Sequence, residues 1–208
     1  MGTEQTRERW LQLARDRVLR QVFTPLDLEP PDGFEIPVTC GWPSRGALAK
    51  VRRVLGQCTA PVLSDAGDRY EINVSPWLAE PADVLAVLVH ELVHVIAGVS
   101  AGHKGRFVTV IRLVGLEGKP TATEPGEALR AVLAKVAAKL GAYPHARLNG
   151  QSKRKQGTRM LKVSCPDCGY VARITRVWIA VGLPTCPCSC RMTLDGEQVA
   201  AGRKGAAA

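Results

Sequence analysis

The 208-residue chain predicts an α+β fold in two parts, a larger domain in which a small antiparallel sheet packs on helices and a small cysteine-bound ribbon after it. Three observations carry that prediction. Apolar residues recur at helical spacing in three separate stretches. Short apolar segments punctuated by turn residues fill the interval between the first two stretches. Five of the seven cysteines fall between residues 165 and 190. The expected layout is a domain over 1–145, a basic linker over 146–160, the ribbon over 161–195 and a disordered tail over 196–208.

Taken in order, residues 4–23 carry Leu11, Ala14, Val18 and Val22 on one face and stop before Pro25, which predicts an amphipathic helix covering the domain. From Glu35 to Ser75, the segments IPVTC, KVRRVL and YEINV are separated by GWPSRG and SDAGD, the pattern of short antiparallel strands. Then comes VLAVLVHELVHVIA, Val84 to Ala97, in which the only polar side chains are His90, Glu91 and His94.

A helix apolar all round is buried, and a buried charge or imidazole costs several kcal/mol unless something satisfies it. Two histidines four apart project from one helix face, where one metal ion would satisfy both. His-Glu-x-x-His is the zincin arrangement: the histidines give neutral nitrogens to zinc, and Glu91 is placed to take a proton from zinc-bound water. A catalytic zinc takes three protein ligands. His103 is the expected third, nine residues beyond His94, after a helix end at Gly98 and between Gly102 and Gly105, which loosen the backbone enough to swing it back. Metzincins place that histidine six residues after the second, where this chain has Ser100. The competing reading, core histidines bonded to backbone, leaves Glu91 buried without a reason.

Beyond His103, FVTVIRLVGL reads as a short helix. EPGEALRAVLAKVAAKLG reads as a longer one, with Leu129, Val132, Leu133, Val136 and Leu140 on one face and Gly141 at its end. Tyr143 and His145 are candidates for stabilising an oxyanion if the segment after Gly141 folds back.

The cysteines read CPDCG, then CPCSC, with 17 residues between Cys168 and Cys186. Two knuckles joined by a strand-like YVARITRVW bring four thiolates around a structural zinc, which holds together a module too small for a hydrophobic core. Cys165 and Cys168 are ligands; the other two come from Cys186, Cys188 and Cys190, with Cys186 and Cys188 preferred and Cys190 as the alternative. Disulfides compete with this reading, but the start, MGTEQTRERWLQLARDR, has charges where an export signal needs an apolar core, so a reducing cytoplasm is expected. Cys40 and Cys58 read as small buried residues.

The charge is uneven. Residues 142–208 hold 11 Lys+Arg against 3 Asp+Glu, while residues 1–141 hold 17 against 16. A basic linker (Lys153, Arg154, Lys155, Arg159, Lys162) leading into the ribbon predicts a nucleic-acid partner, DNA or RNA, held through phosphates, with Tyr170 or Trp178 stacking on exposed bases or packing in the ribbon core. No apolar stretch reaches the 18 or so residues needed to span a bilayer, so no membrane partner is expected. A monomer is expected.

HELVHVIAGVSAGHKGRF together with CPDCG and CPC resembles the SprT-like zinc metallopeptidases, especially compact phage and actinobacterial-type members, over about residues 35–195. The diagnostic part is His-Glu-x-x-His followed by Gly-His-x-x-x-Phe (Gly102, His103, Phe107) and a C-terminal ribbon. The resemblance implies a zincin-like domain, zinc on His90, His94 and His103, and Glu91 as catalytic base. It also implies work near DNA, because the eukaryotic relatives are DNA-dependent proteases acting on proteins crosslinked to DNA. The chain departs from them in lacking long interaction-motif tails and in carrying Cys190 beside the second knuckle.

Zincins use an edge strand beside the active-site helix to hold substrate backbone, and Tyr70 to Val74 is the candidate, with an ordinary core strand as the alternative. The expected activity is zinc-dependent hydrolysis of peptide bonds in proteins bound to nucleic acid, in the cytoplasm, nucleoid-associated or in a host cell if phage-encoded. The second expectation is a non-proteolytic nucleic-acid-binding or transcription-associated zinc adaptor, for which Glu91 would be unnecessary. A cell-wall peptidase fits the zinc site but not the absent export signal.

Overall fold

Helix α1 (Arg7–Val18) starts at Thr6, whose hydroxyl accepts the Arg9 N–H at 3.2 Å and so satisfies one of the first-turn donors. The computed structural model describes residues 6–149 and 160–194; Lys153, Arg154, Lys155 and Arg159 of the linker and the tail from Gly196 lie outside the described residues. After Val18 the chain continues through a wider π turn (Leu19–Phe23) and a 3-10 turn (Thr24–Leu26) that takes in Pro25. Trp10, Leu11, Ala14, Val18, Val22 and Phe23 form its buried face. Three polar side-chain bonds fix it to distant chain: Trp10 Nε1 donates to the Gly141 carbonyl (3.3 Å), Gln12 Nε2 to that of Val38 (3.0 Å) and Arg15 to that of Ile36 (2.6 Å).

The architecture is α+β. Strands β1 (Val38–Cys40), β2 (Gly56–Thr59) and β3 (Glu71–Val74) form one sheet in the order β1-β3-β2. The sheet is mixed, which corrects the antiparallel expectation: β3 runs parallel to β1 (Val38 opposite Ile72) and antiparallel to β2 (Thr59 opposite Glu71). A second correction concerns β3, which is central and not an edge. Its alternate residues Ile72 and Val74 are fully buried, and both of its flanks are paired, so no edge remains there for a substrate strand. A third concerns KVRRVL, which forms a loop; the strand begins at Gly56, and β2 is the edge that lies against helix α2 (Pro81–Ala97).

Pro81 opens α2 at a position where its missing N–H costs nothing. Val84, Leu85, Leu88, Val89, Leu92, Val93, Val95 and Ile96 are buried along it, and it packs on α1, β2, β3, α3 (Arg106–Leu113) and α4 (Glu127–Leu140). The apolar run after His103 is helical only to Leu113. Leu116 instead opens a hairpin, β4 (Leu116–Lys119) with β5 (Ala122–Pro125). In α4, Leu129, Leu133, Val136 and Leu140 face the core.

The chain divides into two units, Met1–Gln151 and Ser152–Ala208. In the second, β6 (Met160–Ser164) pairs antiparallel with β7 (Val171–Thr175) on one side and β8 (Thr193–Leu194) on the other. The strand expected over YVARITRVW stops at Thr175; Arg176–Val181 forms helix α5 and carries Trp178. The buried core of this unit is Val163, Cys165, Cys186 and Met192. Among the described residues no helix is long and apolar enough to cross a membrane.

Candidate metal centres

His90 and His94 stand one turn apart in the buried middle of α2, their ring centroids 5.3 Å apart. The chain leaves α2 at Gly98, makes one 3-10 turn over Val99–Ala101, and passes Gly102 and Gly105 with φ of +54° and +51°. Side chains rarely tolerate that backbone, so the two glycines allow the reversal that returns His103 to the helix. His103 Nε2 comes to 3.3 Å from His90 Nε2, and its ring lies 4.8 Å from that of His94. Phe107, fully buried in the first turn of α3, backs all three rings at 5.2, 4.3 and 4.9 Å.

Each histidine places a nitrogen within 4.8 Å of the others, and the group could hold a metal ion. Burial keeps the rings neutral, the form that coordinates: it pushes His90 down to about 4 and His94, with its two imidazole neighbours, down to about 3, and lowers His103 as well. His90 Nδ1 is bonded to Thr123 Oγ1 of β5 at 2.9 Å, an outer contact that sets the ring's orientation and leaves Nε2 facing His103. His94 Nδ1 is buried without a hydrogen-bond partner among the described residues.

Glu91, the residue after His90, lies buried between α2 and β2. Burial pushes its carboxyl up to about 8, against a backbone hydrogen bond from Cys58 that favours the ionised form. Residue 56 has to be glycine for the carboxylate to fit. A Cβ there would lie 2.6 Å from Val87 Cγ1 and 2.8 Å from Glu91 Cγ, with Glu91 Oε1 closer still. Gly56→Ala is therefore expected to displace β2 or the Glu91 side chain and to lower stability by about 1–3 kcal/mol. Urea denaturation checks this; an unchanged midpoint would mean that the space between α2 and β2 is not filled as described.

Tyr143 and His145, expected as oxyanion stabilisers, are engaged elsewhere. The Tyr143 ring packs on Trp10 at 4.9 Å. His145 Nε2 lies 3.0 Å from the Pro76 carbonyl and its Nδ1 is 3.3 Å from Arg7 Nη1, so both residues anchor the chain after α4.

In the second unit Cys165, Cys168, Cys186 and Cys188 come together and could hold a second ion. Sγ atoms lie 3.5 Å apart for Cys165 and Cys188, 3.2 Å for Cys168 and Cys186, and 3.4 Å for Cys186 and Cys188. Each knuckle, Cys165 with Cys168 and Cys186 with Cys188, sits in a tight turn: Gly169, at φ +72°, donates to the Cys165 carbonyl, and Ser189, at φ +69°, donates to that of Cys186. The backbone of Cys190 and the neighbouring thiols hold the Cys188 thiol down at about 6, which favours the thiolate that metals bind. Cys190 lies outside the four; its thiol donates to Asp167 Oδ2 at 2.7 Å, which pushes it up to about 12. Cys40 and Cys58 are half-buried and belong to neither group.

Sequence reading missed Gly56, Thr123 and Asp167. A hydroxyl in LEGKPTATEP and a glycine in LGQCT carry no spacing signal, because their partners are brought to them by the fold alone. Asp167, inside the first knuckle, was within reach of such a reading.

Fold and sites together define an α+β chain with two groups able to hold a metal ion, one of three imidazoles and one of four thiols. No family model, no curated protein and no solved structure matches it.

Proposed function

We propose that this chain is a zinc-dependent endopeptidase of the SprT-like type, with a zincin-like domain followed by a zinc ribbon, acting on proteins bound to nucleic acid. The observation that supports it most is the convergence of His90, His94 and His103 beside a buried, glycine-accommodated Glu91. Three nitrogen donors in one cluster and four sulfur donors in the other suit zinc in both. Bound by the three histidines, zinc would supply polarisation of the scissile carbonyl and lower the pKa of a water toward about 7.

Glu91 is the general base: it takes the proton of the attacking water and passes it to the leaving amine. Its raised proton affinity suits a group that must hold a proton between two transfers. Thr123 keeps the His90 ring turned with Nε2 toward the cluster. Cys165, Cys168, Cys186 and Cys188 would hold the structural zinc.

The nucleic-acid part of the reading rests on charge and on exposed aromatics. Tyr170 is half exposed and Trp178 is 62% exposed, on either side of the exposed Arg173 and Arg176. An indole in that position is more useful for stacking on a base than for packing a ribbon.

The test uses the purified full chain. Native mass spectrometry should find two zinc ions, and an unfolded reporter protein should be cleaved, with cleavage lost on chelation and restored by zinc. Two ions without cleavage, with or without single-stranded oligonucleotide, would overturn the peptidase and favour the zinc adaptor. No metal at the histidines would overturn both the site and the mechanism.

A further inference from the structure

We propose that the first unit carries its own docking surface for single-stranded nucleic acid, centred on Trp42 and Trp77. It goes beyond the reading above, which places nucleic acid on the linker and ribbon, and it does not depend on peptidase activity.

From residue 36 to residue 64 the sequence has no Asp or Glu but carries Arg45, Lys50, Arg52 and Arg53. This stretch includes the loop between β1 and β2, and the fold sets it against Trp77. The Trp77 indole N–H donates to the Ala47 carbonyl at 3.0 Å, and Ser44 N–H donates to Gln57 Oε1 at 2.7 Å, so the loop is held in place from both ends. The Arg53 guanidinium lies over the Trp77 ring at 3.8 Å, and that of Arg147 lies 5.7 Å from the same ring. Trp42 meets Trp77 edge-on, centroids 5.9 Å apart at 75°, and leaves 40% of its own surface in solvent.

Two features mark this as a surface awaiting a polyanion with flat apolar faces. Among the described residues none of the five cations Arg45, Lys50, Arg52, Arg53 and Arg147 makes a salt bridge, although ion pairs form elsewhere on the unit. An exposed indole already fixed by an edge contact gives up little freedom when a base stacks on it, and the Arg53 guanidinium over the second indole sets a cation beside that base. Phosphates would pair with the surrounding cations. A duplex keeps its bases stacked internally and cannot use Trp42, so an unpaired strand is the fitting occupant. Leu148 N–H bonds the Pro76 carbonyl at 2.9 Å, next to Trp77, and in the sequence the cations Lys153, Arg154 and Lys155 follow soon after it.

Binding of a fluorescein-labelled oligothymidylate to the full chain tests this, by anisotropy across a salt series. Trp42→Ala is expected to weaken binding roughly tenfold, and Trp42→Phe to retain most of it. Arg45→Ala with Arg147→Ala should reduce the steepness of the salt dependence by about 1.4 in log–log slope, two phosphate contacts on a single strand. Thermal melting and metal content of each variant establish that it is folded. The proposal is overturned if folded Trp42→Ala binds like the parent, if a blunt duplex binds more tightly than the single strand, or if polyglutamate competes as well as the oligonucleotide. Substituting Lys153, Arg154, Lys155 and Arg159 together separates the two surfaces. Loss of all binding there with none in Trp42→Ala would leave the linker reading standing and remove this one.

Discussion

Glu91→Gln is expected to lower peptide hydrolysis by about a thousandfold or more while leaving metal content unchanged. General acid–base groups typically contribute 10²–10⁴ to rate. Glutamine has the same shape, can still accept the Cys58 backbone hydrogen bond, and cannot take a proton. The histidines are untouched, because their contacts are with one another, Phe107 and Thr123. The variant should fold at least as well as the parent, since a neutral amide avoids the cost of burying a carboxylate. Cleavage of an unfolded reporter, measured beside zinc content and melting temperature, decides the matter. A folded, zinc-loaded variant that turns over within about twofold of the parent would remove Glu91 from the chemistry and the general-base mechanism with it.

Cys165→Ser is expected to unfold the second unit and leave the first intact. Among its described residues, 160–194, four are buried and two of those are cysteines, and a core that small usually needs a metal, disulfides or association to fold at all. A structural zinc is worth about 10–16 kcal/mol in small zinc-bound peptides, more than such a core can replace. The first unit has its own large cluster running from Trp10 to Tyr143 and shares none of these residues. Hydrogen exchange should show the amides of β6 and β7 losing protection while those of α2 keep theirs. Cys190→Ser should change neither, because its thiol is bound to Asp167. Protected β6 and β7 in Cys165→Ser would mean that the module does not depend on a metal.

How far these sites could be read in advance depends on how local their determinants are. The α2 run was legible because its polar residues interrupt an otherwise apolar helix, and the cysteine knuckles because ligand spacing within a turn is a local property. The sheet was less so. KVRRVL looks more like a strand than LGQCT does, yet β2 is built from the latter, where Gly56 makes room for Glu91. Whether β1 runs parallel or antiparallel to β3 depends on the path of the intervening chain, which leaves no periodic trace in either strand. The β4–β5 hairpin was invisible because most of its residues are exposed or half-exposed and its strands, LEGK and ATEP, show no apolar alternation. The strand expected over YVARITRVW runs into the first half of helix α5, where Val177 and Trp178 favour strand, a preference that the fold overrides.

The way α1 is anchored has a consequence for synthesis. Trp10, Leu11, Ala14 and Val18 are wholly buried, and the Trp10 indole is bonded to Gly141. A ribosome adding about 5–20 residues per second emits residue 141 on the order of ten seconds after residue 18. Throughout that interval the nascent helix has no α4 to cover it, so its oily face is a natural client for chaperones, and the final closure of the first unit must wait until translation has passed Gly141.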